Sequence, residues 1–161
     1  MVNGNNINTE PGVDPGTGLV QSPFTITKDS DGSTYLTADL ATSSTFTDLL
    51  IYAVPLGQAV KIETFNYFFG EYKDTGGSAI TDGQTRLLKA NSTRDESRTI
   101  WQGSNGIFKD IGDVRQRPTL RVPVIASASQ KLVVQVKDLG TTLDISESNF
   151  FIESFQIYEQ I

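Results

Sequence analysis

The sequence predicts an all-β chain that folds as one antiparallel β-sandwich, jelly-roll-like, with an extended N-terminal arm. Three observations predict this class. From residue 22 onward, about nine short β-type stretches are separated by turn-forming residues. No stretch has the pattern of an amphipathic helix of three turns. Several connections are too long for tight hairpins, which favours jelly-roll crossings over a simple meander. We therefore expect the arm at 1–21 and a single β-sandwich domain at 22–161.

The N-terminal stretch 1–21 has the composition of an extended segment. It holds four Gly, two Pro and four Asn, with almost no large apolar side chains. Such a stretch buries too little apolar surface to offset its ordering entropy, so it is either an inert flexible terminus or an arm ordered by a neighbour. If a neighbour orders the arm, the residues expected to contact it are Asn5, Asn6, Ile7, Val13, Leu19 and Val20.

Apolar and polar residues alternate clearly in the strands predicted for the first half of the sandwich. A strand begins near Phe24 and is followed by a DSDG turn and a second strand. Residues 45–54 are almost continuously apolar after Asp48, as expected of a strand buried on both sides. The next strand places Val60 and Ile62 on one face. Its parity becomes ambiguous at 68–70, where we expect a bulge or a bend.

The second half contains longer connections. A Gly-rich loop over 73–84 precedes two short strands, 85–90 and 97–103, that flank a charged loop. Pro123 predicts an edge strand or a bulge, because proline cannot donate to a ladder. The clearest alternation follows, with Leu132, Val134 and Val136 inward and Lys131, Gln135 and Lys137 outward.

The apolar ending, residues 149–161, predicts a closing strand of the sandwich. Its parity predicts a core face of Phe155, Ile157 and Ile161 and an outward face of Gln156, Tyr158 and Gln160. Phe151 would join the core face, but Glu153 interrupts that face. A bend, a bulge or a buried polar partner is therefore expected at Glu153.

The net charge of the chain restricts the classes of partner that it is suited to bind. The formal net charge is −6, with 13 Lys plus Arg against 19 Asp plus Glu, which argues against nucleic acid. No apolar run approaches the roughly 18 residues of a membrane span, and the start lacks the pattern of a secretory signal. We expect the chain to be made in the cytoplasm and to remain there, unless a signal has been removed.

The chain contains neither His nor Cys. This excludes Ser-His-Asp and Cys-His triads and most zinc sites. The stretch 28–33 resembles half a calcium loop but lacks the acidic first and twelfth ligands, where Thr27 and Ala38 stand. No pair of carboxylates stands out for glycoside hydrolysis. We therefore expect no catalytic residue, no metal and no cofactor, and a hydrolase is the third-ranked alternative.

Four residues are candidates for a ligand site or an interface. Trp101, the only tryptophan, could stack on a sugar face or pack in a core or an interface. Arg115 and Arg117 share parity and could contact an acidic partner. Tyr158 lies on the expected outward face of the last strand.

The stretch YAVPLGQAVKIETFNYFF (52–69), with the closing FFIESFQIYEQI (150–161), resembles the small β-sandwich proteins of tailed-phage virions. Head decoration (cement) proteins are the most similar in style. The resemblance implies a jelly-roll-like body, often trimeric, that sits on the capsid, and an arm that grips the major capsid protein. Tail-tip sandwiches of phage are similar too. The last strand also resembles that of carbohydrate-binding modules, with Glu153 at their acidic position.

The leading hypothesis is therefore a non-enzymatic virion protein that decorates and stabilises a capsid. Its partners would be the major capsid protein lattice and two further copies of the chain in a homotrimer. The alternative is a carbohydrate-binding module or a phage receptor-binding or tail-tip domain.

Overall fold

The computed structural model describes residues 19–64, 66, 68–108 and 123–159. These ranges contain ten β-strands and one four-residue 3-10 helix, η1. Within them no helix is long and apolar enough to cross a membrane. In chain order the elements are β1 (Leu19–Ile26), β2 (Ser33–Tyr35), β3 (Thr47–Ala53), β4 (Gln58–Ile62), β5 (Phe68–Glu71), β6 (Gln84–Ala90), β7 (Ser97–Ser104), η1 (Asn105–Phe108), β8 (Val124–Ser127), β9 (Lys131–Lys137) and β10 (Asn149–Glu159).

The strands form two five-stranded antiparallel sheets. Sheet A has the order β1-β10-β4-β8, with β5 also paired to β10, and sheet B has the order β2-β3-β9-β6-β7. In the described part of the chain, only β2–β3 and β6–β7 are neighbours both in sequence and in a sheet. The chain therefore crosses repeatedly between the sheets, and the predicted all-β, jelly-roll-like sandwich is confirmed.

The core lies between the two sheets, where alternate side chains of each strand point inward. Val60 and Ile62 of β4 are 0% and 2% exposed, as predicted. The predicted inward residues of β9 are also buried: Leu132, Val134 and Val136. The strand that follows Pro123, β8, ends the order of sheet A, in agreement with the edge position that this proline predicts.

β10 is the strand on which most of sheet A is assembled. All eight residues of β1 pair with one edge of β10. Along the other edge, residues 149–152 pair with β5 and residues 155–158 pair with β4. The predicted strand over residues 149–161 is therefore confirmed for Asn149–Glu159, the part that the structure describes.

The predicted parity of β10 is wrong. Phe150, Ile152 and Ser154 are 3%, 1% and 3% exposed and face the core, whereas Phe155 and Ile157 are half-buried on the opposite face. Large apolar side chains stand on both faces of this strand, so periodicity alone does not distinguish them. A serine is tolerated inside because Ser154 Oγ donates to the backbone oxygen of Phe24 at 2.6 Å. Glu153 is half-buried on the same outer face as Phe155 and Ile157, so the expectation that it interrupts the core face is wrong.

The predicted arm and the sheet overlap by three residues. β1 begins at Leu19, which pairs with Glu159, and Val20 pairs with Tyr158. These two apolar residues are therefore part of sheet A, which starts before the predicted boundary at residue 22. The remaining candidates of the arm lie outside the described residues: Asn5, Asn6, Ile7 and Val13.

The parity of β10 is testable by paired truncations. Ile152→Ala should destabilise the fold by about 2–5 kcal/mol, because it opens a cavity in the core. Ile157→Ala, in the same strand but on the half-buried outer face, should cost clearly less. Urea unfolding followed by circular dichroism measures both values. The opposite ranking would restore the parity predicted from the sequence.

Candidate functional site

Trp101, the predicted ligand or interface residue, is a half-buried residue of β7. Its ring centroid lies 4.5 Å from that of Phe68, in an edge-on arrangement, and 6.1 Å from that of Phe108. Gly103 leaves room for the indole, since a Cβ at that position would lie 2.6 Å from the ring. Trp101 thus packs against the hydrophobic core.

The other predicted contact residues are not gathered around Trp101 in the part of the chain that the structure describes. Arg115 and Arg117 lie outside the described residues. Tyr158 belongs to β10 and pairs in register with Val20 and Gln58, and its side chain is outside the described set.

A polar row occupies the outer face of sheet B. Alternation along β6 and β9 directs Leu87 and Val134 into the core, so Arg86 and Gln135 project outward. In the sheet, Gln135 pairs with Arg86 on one side and with Asp48 of β3 on the other. Three adjacent strands therefore each contribute one polar side chain to the same row.

A β-bulge brings Asp48 to this face. The register of β3 against β9 shifts between Asp48 and Leu50, which leaves Leu49 as the extra residue. Leu49 and Leu50 are both core residues, 1% and 0% exposed. Without the extra residue, Asp48 would share the parity of Leu50 and point into the core, where a charged carboxylate is strongly disfavoured.

Hydrogen bonds run along the row. Arg86 Nε donates to Gln135 Oε1 at 2.6 Å, and Gln135 Nε2 donates to Asp48 Oδ1 at 2.7 Å. Arg94 donates twice to Asp48, from Nη2 to Oδ1 at 3.0 Å and from Nη1 to Oδ2. Such bidentate pairing fixes the plane of the guanidinium. We define the outer-face network as these four residues and two neighbours: Asp48, Arg86, Arg94, Gln135, Phe46 and Lys137.

Arg94 is supplied by the loop between β6 and β7. Its φ of 63° lies in the left-handed region, which is uncommon for a residue with a side chain. Local hydrogen bonds support this conformation: Arg94 N donates to Asn91 O at 3.1 Å, and Asp95 Oδ1 accepts from Thr93 Oγ1 at 2.7 Å and from Asn91. The hydrogen bonds from Asn91 and Thr93 also lower the pKa of Asp95. The loop therefore holds Arg94 in place over the sheet.

The network keeps Asp48 ionised. The hydrogen bond from Arg94 is the main cause of the lowered pKa of Asp48, with smaller contributions from Gln135 and from the charges of Arg94 and Arg86. Partial burial acts in the opposite direction. The same hydrogen bond raises the pKa of Arg94. Because the two side chains are 28% and 34% exposed, water screens part of their attraction.

Phe46, which immediately precedes β3, lies between two cations. The guanidinium carbon of Arg86 is 4.0 Å from the centroid of the Phe46 ring, and Nζ of Lys137 is 4.9 Å from it. Each cation–π contact of this kind contributes about 0.5–1 kcal/mol near a surface. The ring therefore stabilises two positive side chains whose charges would otherwise repel.

The row next to the network is apolar. Ile51, Val133 and Leu88 lie side by side on the outer face of β3, β9 and β6. Val133 and Leu88 are 0% and 5% exposed, although neither belongs to the main core cluster. β9 is thus buried on both faces, and the outer-face network lies next to a closely packed apolar row.

The chemistry of the network favours recognition. It holds three cations, Arg86, Arg94 and Lys137, against one carboxylate, on a chain of formal net charge −6. Its single ionised carboxylate does not provide the acid and base pair that glycoside hydrolysis requires. Over the described ranges no cluster of three or more His, Cys, Asp or Glu is placed to hold a metal. Its net positive charge is suited to contact with an acidic surface.

None of these six residues was predicted from the sequence as a site residue. One signal is present in the sequence: Asp48 immediately precedes the apolar run 49–54, and Gln135 interrupts the apolar strand β9. The two polar residues pair with each other across the sheet. Only the register of β3 against β9 places the two side chains next to each other.

Comparisons with known proteins extend the description of the fold. No family model matches the chain, and no curated protein matches its sequence. Among solved structures, the chain is similar to VP17, a capsid protein of bacteriophage P23-77, with a TM-score of 0.61 and 10% identity over 89% of this chain and 97% of that one. It is also similar to a chain of the VP16-VP17 complex of the two major capsid proteins of that phage, with a TM-score of 0.59 and 11% identity over 86% and 98%.

The predicted resemblance to β-sandwich proteins of phage virions is thereby confirmed at the level of the fold. The matched structures are described as capsid and major capsid proteins, whereas the resemblance seen in the sequence was to decoration proteins.

The Asp48–Arg94 pair predicts a specific dependence of stability on pH. A carboxyl whose pKa is lowered on folding stabilises the fold above its unfolded pKa of about 4, and this contribution is lost as pH falls through the folded pKa. Asp48→Asn should therefore be less stable at pH 7, by about 1 kcal/mol or less for a partly exposed pair. It should also lose less stability than the wild type between pH 5 and pH 2, as measured by urea unfolding.

Glu147→Gln, which removes one negative charge from an exposed turn, is the control for net charge. Its acid-induced loss of stability should stay close to that of the wild type. Parallel stability curves for Asp48→Asn and the wild type below pH 5 would show that the pair contributes nothing.

Proposed function

We propose that the chain is a non-enzymatic structural protein of a phage virion that contacts other capsid proteins. The observation that carries this proposal is the match of the whole sandwich to a P23-77 capsid protein, over 89% of this chain and 97% of that one. Similarity over nearly all of both chains supports a shared use of the body. The lack of His and Cys and the absence of a carboxylate pair in the outer-face network favour binding over catalysis.

Within that role we propose a capsid decoration protein. The chain would be made in the host cytoplasm and would bind, as a homotrimer, to the surface lattice of a major capsid protein. It would need no cofactor or metal and would contact neither nucleic acid nor membrane. Trimeric attachment would make weak contacts effective, because the second and third contacts of a bound trimer form at high effective concentration. In P23-77, two different major capsid proteins form a complex, which supports a contact between unlike capsid chains here.

The outer-face network is the contact surface that we propose for the body. It presents a net positive charge on a negatively charged chain, which favours an acidic patch on the partner and guides its orientation. Arginine and aromatic side chains contribute strongly to protein interfaces. The side chains are already held by Asp48, Gln135 and the ring of Phe46, so little rotamer entropy is lost on binding.

Charge reversal tests this surface. Arg86→Glu together with Lys137→Glu should lower the amount of protein that co-sediments with purified phage particles by at least about tenfold, since like charges at an interface cost several kcal/mol. Added salt should weaken binding of the wild type as well. Unfolding measurements should accompany the binding assay, because Arg86 also contacts Gln135 and Phe46.

The matched control, Lys28→Glu with Arg98→Glu, changes the net charge equally at residues outside the network. It should leave co-sedimentation nearly unchanged. Equal losses in both double variants would point to net charge alone, and undiminished binding of the network variant would reject the outer face as the contact surface.

The arm is testable separately, with the boundary that the structure provides. Deletion of residues 1–18 leaves β1 intact, so the thermal unfolding of the body should not change, whereas binding to particles should be lost if the arm grips a capsid protein. Deletion of residues 1–26 also removes β1 and should lower the melting temperature strongly. If the protein without residues 1–18 still binds to particles, the proposal that this arm grips a capsid protein is wrong.

A further inference from the structure

A polar pocket of about 440 Å³ lies between the two sheets at one end of the sandwich. We call it the inter-sheet pocket. Sheet A contributes inward-facing residues of three strands, β3 and the turn after it contribute two more, and the turn between β1 and β2 contributes an acid. The residues on which the pocket's chemistry depends are Phe24, Gln58, Gln156, Tyr52, Pro55 and Asp31.

The pocket is polar because the inner faces of the strands change character toward this end. The inward residues of β4 run from Ile62 and Val60 to Gln58, and those of β10 run from Ile152 and Ser154 to Gln156. Gln156 Nε2 donates to Gln58 Oε1, so the two amides are joined across neighbouring strands. By the inventory of an amide, Gln58 Nε2 and Gln156 Oε1 are left with further hydrogen-bonding capacity.

Tyr52, one of the residues that line the pocket, carries a buried and unpaired hydroxyl. Tyr52 is 1% exposed, and its hydroxyl has no hydrogen-bond partner among the described residues. Ser33 Oγ is also buried and has no hydrogen-bond partner among the described residues. Ser33 pairs with Tyr52 between β2 and β3. An unpaired buried hydroxyl costs about 1–3 kcal/mol, whereas a phenylalanine would fill the same space without this cost. The phenol also stays neutral, because burial and the charge of Asp31 raise the pKa of Tyr52.

The chemistry of the lining defines the ligand. Asp31 and Gln156 supply acceptors, Gln58 and Tyr52 supply donors, and Phe24 and Pro55 supply apolar surface. Among the described residues around the pocket, Asp31 is the only charged one, which disfavours an anion. A sugar ring combines hydroxyls along its edge with an apolar C–H face, and 440 Å³ lies within the range of small-molecule sites. We propose that the inter-sheet pocket binds a neutral sugar residue.

This proposal is independent of the capsid role, because the pocket lies between the sheets and the outer-face network lies on the outside of sheet B. The binding of sugar can therefore be measured on the isolated chain, whatever its assembly does. It also differs from a sugar site at Trp101, since that residue does not line the pocket.

The test is an NMR titration of the full chain, labelled with ¹⁵N, against glucose, galactose, N-acetylglucosamine and glucuronate. At least one neutral sugar should cause saturable shift changes at the amides of Asp31, Tyr52 and Gln58, and glucuronate should bind more weakly than glucose. Tyr52→Phe should weaken the binding of that sugar about 3- to 10-fold, the effect of one neutral hydrogen bond. Its melting temperature should be equal to that of the wild type or higher, because an unpaired hydroxyl is removed.

Two further variants separate this site from general effects. Asp31→Asn should bring the affinity for glucuronate close to that for glucose. Tyr35→Phe, which removes a hydroxyl that donates to Ser148 O at 3.5 Å, should leave sugar affinity unchanged. The proposal is overturned if none of the three neutral sugars gives saturable shifts, if the shifts centre on Trp101, or if glucuronate binds more tightly than glucose.

Discussion

The pairing of β10 is the constraint on which the fold depends. One strand holds β1 along its full length on one edge and divides its other edge between β5 and β4. Because both edges of β10 are paired, the side chains on its inner face determine what fills the space between the sheets along the strand. That face is apolar at Phe150 and Ile152 and polar at Ser154 and Gln156. The hydrophobic core consequently closes under the first half of β10, and the inter-sheet pocket opens under the second.

Sheet B is organised in a corresponding way around β9, which is buried on both faces. The single extra residue Leu49 has two effects at once: it adds an apolar side chain to the core and turns Asp48 to the outer face. Asp48 then meets Gln135 and Arg94, so a local irregularity of the backbone determines the electrostatics of a surface. Bulges often re-aim side chains in this manner.

The two proposed sites use different parts of this framework. The outer-face network consists of side chains held by hydrogen bonds and by a ring, and it suits contact with another folded protein. The inter-sheet pocket is a concavity with mixed donors and acceptors, and it suits a small molecule. Since the two sites do not share a residue, the proposed contact with a capsid protein and the proposed binding of a sugar do not exclude each other.

The sequence alone determined the β-class, the inward residues of β4 and β9 and the strand over Asn149–Glu159, because alternation and turn residues report local structure directly. The lengths of the connections predicted the crossings between the sheets. The tertiary structure decided the rest. The parity of β10 could not be derived, because large apolar side chains stand on both of its faces and only the packing of the two sheets buries Phe150 and Ile152. The outer-face network and the inter-sheet pocket join residues far apart in the chain, such as Asp48 with Gln135 and Tyr52 with Gln156. Their contacts depend on strand register and on one bulge, which no local pattern encodes.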